Sequence, residues 1–453
     1  MKSKPNFFII CNVMCLVLVF LSAFTLCHAD LIGWNVTWGR QFLECIKNGN
    51  TREFQLILES KNMPTNYNIF LNAFFALSLS PIYLIELISK YTIDNYIYAS
   101  WFKLNIVFFT FLTLNIFSKC LKELEINQTK AEFLKFLYIA SPFCLLSSIG
   151  MGQIDFLGNY FFVSGIYMFL QKKYNRMSIF IALAATVKGF ALIFYIPVII
   201  LLYGKDIKKL LKHLLITLSI PVIVSLVTRI YFIDYSRISS ALEEHYGFAE
   251  RIFAISADKT SVFIFIAVII CGLSYYFSQH ELVKPYYYVS SGMIIFSSFV
   301  LLVLWHPQWL IYSLPLLLII AAYYKKFDDF LILNLIMNTS YIIYINANKG
   351  FAMDLNLISQ SLLAHIIPTA NSDIHHFIEK FVDISKLQAF QSIFTPVFIL
   401  ITVIFIIERQ TSKVSLESCS INPAKEFQCL LIFQLAPMVI FIADLILTYY
   451  IPL

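Results

Sequence analysis

Charge is scarce in this chain. Of its 453 residues 13% are Asp, Glu, Lys or Arg and 59% are hydrophobic, whereas soluble domains carry roughly 25% charged residues. With a mean hydropathy of +0.76, the shortage excludes a water-soluble globular protein and predicts an integral membrane protein. Paired cysteines are missing too. The nine cysteines are scattered, mostly inside apolar runs (Cys11, Cys15, Cys144, Cys271). Without a CxxC pair or a His/Cys cluster they do not suggest zinc or redox chemistry. Cys27 and Cys45 are placed to meet beyond the first apolar run. The chain has no internal repeat and no second soluble domain, so residues 1–453 read as a single polytopic membrane domain. The formal charge of +6 is accounted for by basic loops and does not indicate nucleic-acid binding.

Apolar runs of about 20 residues fill the chain instead, which is the signature of spanning helices rather than of a β-barrel. Aromatic residues make up 17%, with 44 Phe and 26 Tyr. Tyrosines at the ends of runs (Tyr203, Tyr323, Tyr324) fit interfacial belts. Lys2 and Lys4, an apolar run to Leu26 and then Cys27-His28-Ala29 resemble a signal peptide with its cleavage site. The run is long enough to span, and the preferred reading is a retained first helix. About 12 or 13 membrane segments of spanning length are expected. Residues 29–67 would form a first extracytoplasmic loop, carrying the weakly amphipathic stretch Glu53–Leu58, and residues 346–386 a late one. The multi-pass protein would sit in the plasma (inner) membrane of a bacterium or the ER membrane of a eukaryote, in contact with membrane lipids.

Loop charges set the sides. Lys119–Lys130, Lys172-Lys173 with Arg176, and Lys205–Lys212 read as cytoplasmic by the positive-inside rule. Met177–Tyr203 is basic at both flanks, which predicts two short helices in a hairpin with Lys188 at its outer tip. A single long helix with a snorkelling lysine is the alternative. Phe70–Ile88, interrupted by Ser78, Ser80 and Pro81, is expected to be re-entrant or interfacial, because a full crossing there would reverse the sides of the loops that follow.

On this topology polar residues converge on the outer face. Asp30 lies where the first helix ends, Gln153 and Asp155 in the turn Gly152-Gln153-Ile154-Asp155, Lys188 at the hairpin tip, and His306 and Gln308 in Trp305-His306-Pro307-Gln308-Trp309. A carboxylate, an amide, a cation and an imidazole at one interface suit transfer from a lipid-linked phosphate. The cation offsets the leaving phosphate and a carboxylate takes the acceptor proton. Taken singly, Asp30 reads equally as a solvated helix end, Asp155 as a helix cap and His306 as an interfacial turn residue. Glu243-Glu244-His245 and His375-His376 read as exposed loops. Asn35-Val36-Thr37 fits an N-glycosylation acceptor.

The GQxD turn, the stretch Ala182-Leu183-Ala184-Ala185-Thr186-Val187-Lys188 with Pro197, and His306-Pro307-Gln308-Trp309 with Leu314-Pro315 resemble the GT-C superfamily of membrane glycosyltransferases. The likeness is to bacterial proteins related to GPI mannosyltransferase II (the PIG-V type) and to polyprenol-phosphate-mannose-dependent mannosyltransferases. It covers mainly residues 130–200 and 300–320, and Gly189 stands where those proteins usually carry proline. The resemblance implies an all-α GT-C fold with an extracytoplasmic site. It also implies inverting transfer of a sugar, with mannose expected, from a polyprenyl-phosphate donor to a glycan, lipid or protein acceptor. Asp30 would be the base, Asp155 and Gln153 would position donor or acceptor, Lys188 would meet the phosphate, and His306 with Gln308 would complete the rim. Some relatives use a divalent metal and others none; no metal ligands are assigned.

A transporter or flippase of lipid-linked saccharide is the rival reading. It would place its charges near the bilayer midplane and often in related halves, whereas here they fall at the ends of runs. A polysaccharide polymerase or ligase would be expected to carry its chemistry in a large late outer loop.

Overall fold

The computed structural model describes residues 5–246, 256–257, 260–279, 306–323, 327–347, 357–358, 361, 397, 436–443 and 446. These residues are helical except for connecting turns and one two-residue antiparallel pairing, Ser256–Ala257 with Thr260–Ser261.

The order is α1 (Pro5–Thr25), a π-helical turn (Leu31–Val36) running into α2 (Thr37–Asn48), α3 (Phe54–Ser60), α4 (Ile69–Ser89), α5 (Asn95–Glu123) and α6 (Gln128–Ala140). A second π-helical segment (Phe143–Gly150) leads to α7 (Asp155–Leu170), α8 (Tyr174–Val187), α9 (Phe190–Tyr203), α10 (Ile207–Tyr231) and α11 (Tyr235–Tyr246). Beyond them lie α12 (Val262–Ser278), a 3-10 turn (Pro307–Tyr312), α13 (Leu314–Ala322) and α14 (Phe327–Ala347). On length and composition α4, α5 and α10 can cross a membrane, and a fourth span follows if α6 and the π-helical segment, bent by 46°, count as one. Pro142 accounts for the bend, since it forces Ser141 into an extended conformation.

Helix starts are written in side chains. Asn68, Asp94, Asn127 and Asp206 each accept a backbone N–H from the first turn of α4, α5, α6 and α10, satisfying donors that a helix otherwise leaves open. At Asp206 that hydrogen bond from Lys209 also holds the carboxyl below its ordinary range.

The helices run between two ends. α1 leads to one end, where Ser22 Oγ donates to Leu145 O at 2.6 Å, and α6 with its π-helical extension arrives beside it. α7 starts there and runs back, so that Gln171 meets Glu123, the last residue of α5, at 3.1 Å. α8 and α9 form the expected hairpin: Tyr174 and Tyr203, at their far ends, lie ring to ring at 5.9 Å, and Ser178 hydrogen-bonds Tyr195. The break is at Lys188, whose backbone is extended (φ −149°, ψ 129°). The basic segments Lys172–Arg176 and Lys205–Lys212 thus share one end of the bundle, and Asp30, the GQxD turn and Lys188 share the other.

Expectation and structure part at Phe70–Ile88. Of the two forms expected there, re-entrant or interfacial, the re-entrant one is corrected: the run is one continuous helix, α4. Pro81 has no N–H for Leu77 O, and Ser80 Oγ takes that carbonyl at 2.8 Å, while Trp101 Nε1 donates to Ser78 O. The residues that made the run look broken therefore repair it. Both ends of α4 nevertheless stay at the Lys188 end. Asn68 donates to Thr186 O, and Glu86 accepts from Tyr98, near the start of α5, and from Arg40 of α2. α4 packs along α2, where a Cβ at Gly39 would come within 3.1 Å of the Phe75 backbone. Rings of Phe74, Phe75, Phe102, Phe109 and Phe156 carry the core from α4 through α5 to α7.

Two further expectations are corrected. Glu243-Glu244-His245 belongs to a helix, the last turns of α11, rather than to a loop. At the start of that helix Arg237 grips Glu59 through two hydrogen bonds, and the guanidinium holds the carboxyl below its ordinary range. Asn35 is buried (2% exposed) and donates to Gly152 O, so the folded chain does not offer it to a glycan. Cys27 and Cys45 are free thiols. His375-His376, most of the 346–386 loop and the runs expected at 286–304, 388–407 and 430–450 lie wholly or mainly outside the described residues.

Candidate active site

The site begins at a glycine. Gly152 has φ +69°, the left-handed region that other residues enter at a cost. A Cβ there would also come within 2.8 Å of Leu31 Cδ2. The backbone around it is stitched to the segment after α1. His28 N donates to Gly150 O at 3.3 Å, and Asn35 Nδ2 donates to Gly152 O at 3.0 Å. Lys103 of α5, itself buried, donates to Leu26 O and pins the same segment from below.

These ties bring together residues 123 and 155 positions apart in sequence. Gln153 Nε2 donates to Asp30 Oδ2 at 2.8 Å, and Gln308 Nε2 donates to Gln153 Oε1 at 2.8 Å. The relay Gln308–Gln153–Asp30 fixes both amides, since each uses its nitrogen as donor. Asp30 remains one-third exposed, so its carboxylate is held but still open to a substrate hydroxyl. His28, which the sequence reading passed over, stands beside it. Its Nδ1 accepts the Asp30 N–H at 3.1 Å and lies 3.6 Å from Asp30 Oδ2. In that role Nδ1 carries no proton, and the proton of the neutral ring sits on Nε2. The only signal for His28 was its place two residues before Asp30.

Lys188 and Asp155 make the neighbouring group. Lys188 Nζ donates to Tyr67 Oη at 3.2 Å and lies 4.9 Å from the Tyr67 ring centroid, within cation–π range. The Tyr67 ring stands edge-on to Trp38 at 5.3 Å, and Trp38 packs on Trp34 at the same separation. α2 and the α3–α4 connection thereby build an aromatic wall over the hairpin tip. Asp155 opens α7 and is fully buried; neither carboxylate oxygen has a hydrogen-bond partner among the described residues. It does not cap α7. Its charged and polar neighbours are Lys188 and Tyr312. Tyr312 closes the floor: a Cβ at Gly158 would run into its hydroxyl, so glycine is required there for α7 to meet the 3-10 turn.

In the His306–Trp309 motif it is Gln308, 3% exposed, that faces the site. His306 is exposed, with its ring 4.9 Å from that of Trp309. The 3-10 turn begins at Pro307, which leaves His306 outside the turn and carries Gln308 inward. For the transferase expected from the sequence, Gln308→Ala should therefore lower sugar transfer by about tenfold to a hundredfold through a misplaced Asp30, with His306→Ala within a few-fold of wild type. Steady-state assays of the two variants side by side check this. Among the described residues no group of three or more His, Cys, Asp or Glu side chains could hold a metal ion. Asp30 and His28 are the two such donors that stand together at the site.

The chain matches no protein-family model, no curated protein and no solved structure.

Proposed function

We propose that the chain is a membrane glycosyltransferase that takes its sugar, with mannose expected, from a polyprenyl-phosphate donor. The observation that carries this reading is the juxtaposition of two unlike groups at one end of the bundle. One is an accessible carboxylate oriented by two amides, Asp30 with Gln153 and Gln308. The other is a cation at the tip of a helix hairpin, Lys188, held by the Tyr67 hydroxyl and ring.

The chemistry needs both. Asp30 takes the proton of an acceptor hydroxyl as its oxygen attacks the anomeric carbon. The carbon–oxygen bond to the donor phosphate breaks on the opposite face, and the anomeric centre inverts. The electron pair of that bond leaves with the polyprenyl phosphate, whose charge Lys188 offsets. Tyr67 positions Lys188 through its hydroxyl, and Tyr67 and Trp34 give the sugar an aromatic face to rest on. A transporter of lipid-linked saccharide would need its charged groups along a path through the bundle. The cluster lies at helix ends, which favours the enzyme.

Purified protein incubated with polyprenyl phosphates carrying different sugars, and with water or a mixed pool of membrane acceptors, tests the reading. Release of free polyprenyl phosphate from one donor above the others is the expected result. Turnover of none of them, with uptake of the intact lipid-linked sugar into the opposite leaflet of proteoliposomes, would replace it with the transporter.

A further inference from the structure

A small cavity lies one layer beneath the site, and much of its wall is polar. Thr110 and Thr113 of α5, Tyr138 of α6, Cys144 and Ser148 of the second π-helical segment and Asn159 of α7 line it, with Ile311 of the 3-10 turn above. No residue of that lining is more than 5% exposed. Its depth follows from helix geometry. Asn159 stands four residues after Asp155, on the same face of α7 and one turn further into the bundle. Ile311 stands three residues after Gln308, and side chains three apart eclipse in a 3-10 turn.

Asn159 has more hydrogen-bonding capacity than its neighbours use. Its Nδ2 donates to Tyr138 Oη at 2.5 Å, while Oδ1 is buried with no partner among the described residues. Exchanging the amide oxygen and nitrogen does not remove the surplus, because Oδ1 would then take the Tyr138 proton and Nδ2 would be left over. As the amide stands, Tyr138 accepts from it and keeps its own proton to give elsewhere. The Thr110 and Thr113 hydroxyls donate within α5, to Ile106 O and Phe109 O at 2.7 Å each, which leaves their oxygens as acceptors. Ser148 adds a hydroxyl that can do either. The cavity admits a molecule the size of water, whose centre can lie within about 10 Å³. A buried water is retained where about two to four polar groups surround it. Among the described residues no Asp or Glu lines the cavity, so a cation there would be uncompensated.

We infer that this cavity is a binding site for one ordered water molecule. The water accepts from Tyr138 and donates to Asn159 Oδ1, with Ser148 and a threonine oxygen of α5 as its remaining partners. It joins α5, α6, the π-helical segment and α7 by neutral hydrogen bonds, directly under the turns that carry Gln153 and Gln308. The site rests on packing and hydrogen-bonding capacity alone and does not depend on the transferase reading.

The test uses the full-length protein in neutral detergent. The water is read directly, in experimental density maps fine enough to show ordered waters, and indirectly by unfolding temperature. Wild type should show a peak about 2.7–3.2 Å from the Asn159 amide. Asn159→Leu, of similar volume and without polar side-chain atoms, should not. Cys144→Val adds roughly one methyl group to the cavity wall and takes the water's place. In wild type it should lower the unfolding temperature by a few degrees, since the amide loses its partner. In the Asn159→Leu background the same change fills a dry cavity and should be neutral or stabilising. Replacing sodium by choline in the buffer should alter neither result. A cavity empty of density in wild type, equal Cys144→Val shifts in the two backgrounds, or a sodium-dependent stabilisation that disappears in Asn159→Leu would overturn the assignment. Sugar transfer is not the readout, so failure here leaves the proposed reaction untouched.

Discussion

Asp30→Asn should reduce sugar transfer by about a thousandfold, the scale of a lost general base. Asparagine has nearly the shape of aspartate, and its side-chain oxygen can still accept the hydrogen bond that Gln153 now gives to Asp30 Oδ2. The relay from Gln308 through Gln153 then survives, and what disappears is the ability to accept a proton. The loss should fall on turnover, with donor binding close to wild type, because Lys188 and Tyr67 are untouched. Measuring release of polyprenyl phosphate at saturating donor separates the two effects. A variant that turns over like wild type would remove Asp30 from the chemistry and leave the relay as a structural clamp.

Asp155 and Lys188 should behave as a unit. A buried carboxylate without a hydrogen-bond partner is unfavourable by several kcal/mol unless a charge repays it, and Lys188 is the cation whose charge acts on it, across more than 4.0 Å. Asp155→Asn leaves Lys188 without its counter-charge, and Lys188→Met leaves Asp155 buried alone. Either should cost transfer about a hundredfold to a thousandfold, since both disturb the cation that meets the leaving phosphate. The double variant should be no worse than either single one, because the second change removes a group already made useless. Its unfolding temperature should lie above that of Lys188→Met, which strands a buried carboxylate. Losses that multiply instead would mean that the two side chains act separately.

Asp30, Gln153 and Gln308 were legible because each marks the end of an apolar run and loop charges put those ends on one side. Lys188 was legible for the same reason, since basic flanks at both ends of a single run force a hairpin. The continuity of α4 was not, because a proline beside two serines looks alike whether the serine mends the helix or ends it. Only the Ser80–Leu77 contact decides. Asn35 carries an acceptor pattern that says nothing about burial, and its role as a strut under Gly152 depends on a residue 117 positions away. His28 and Tyr67 were hidden by company: one lies in a stretch that reads as a leader's end, the other among 26 tyrosines. Between His306 and Gln308 the sequence gives no preference; the 3-10 turn starting at Pro307 makes it.

The hairpin helices are short. Each has 14 residues, a rise of about 21 Å at 1.5 Å per residue, against a hydrocarbon layer of roughly 30 Å. If the lysine-rich end lies among headgroups, as the loop charges predict, a hairpin of this length places the Lys188 tip within the apolar layer, several ångströms below the far surface. On the proposed reading, a donor phosphate reaching it is drawn inward, or the surface sinks to meet it, and the thickness of the surrounding bilayer becomes part of the site's working geometry.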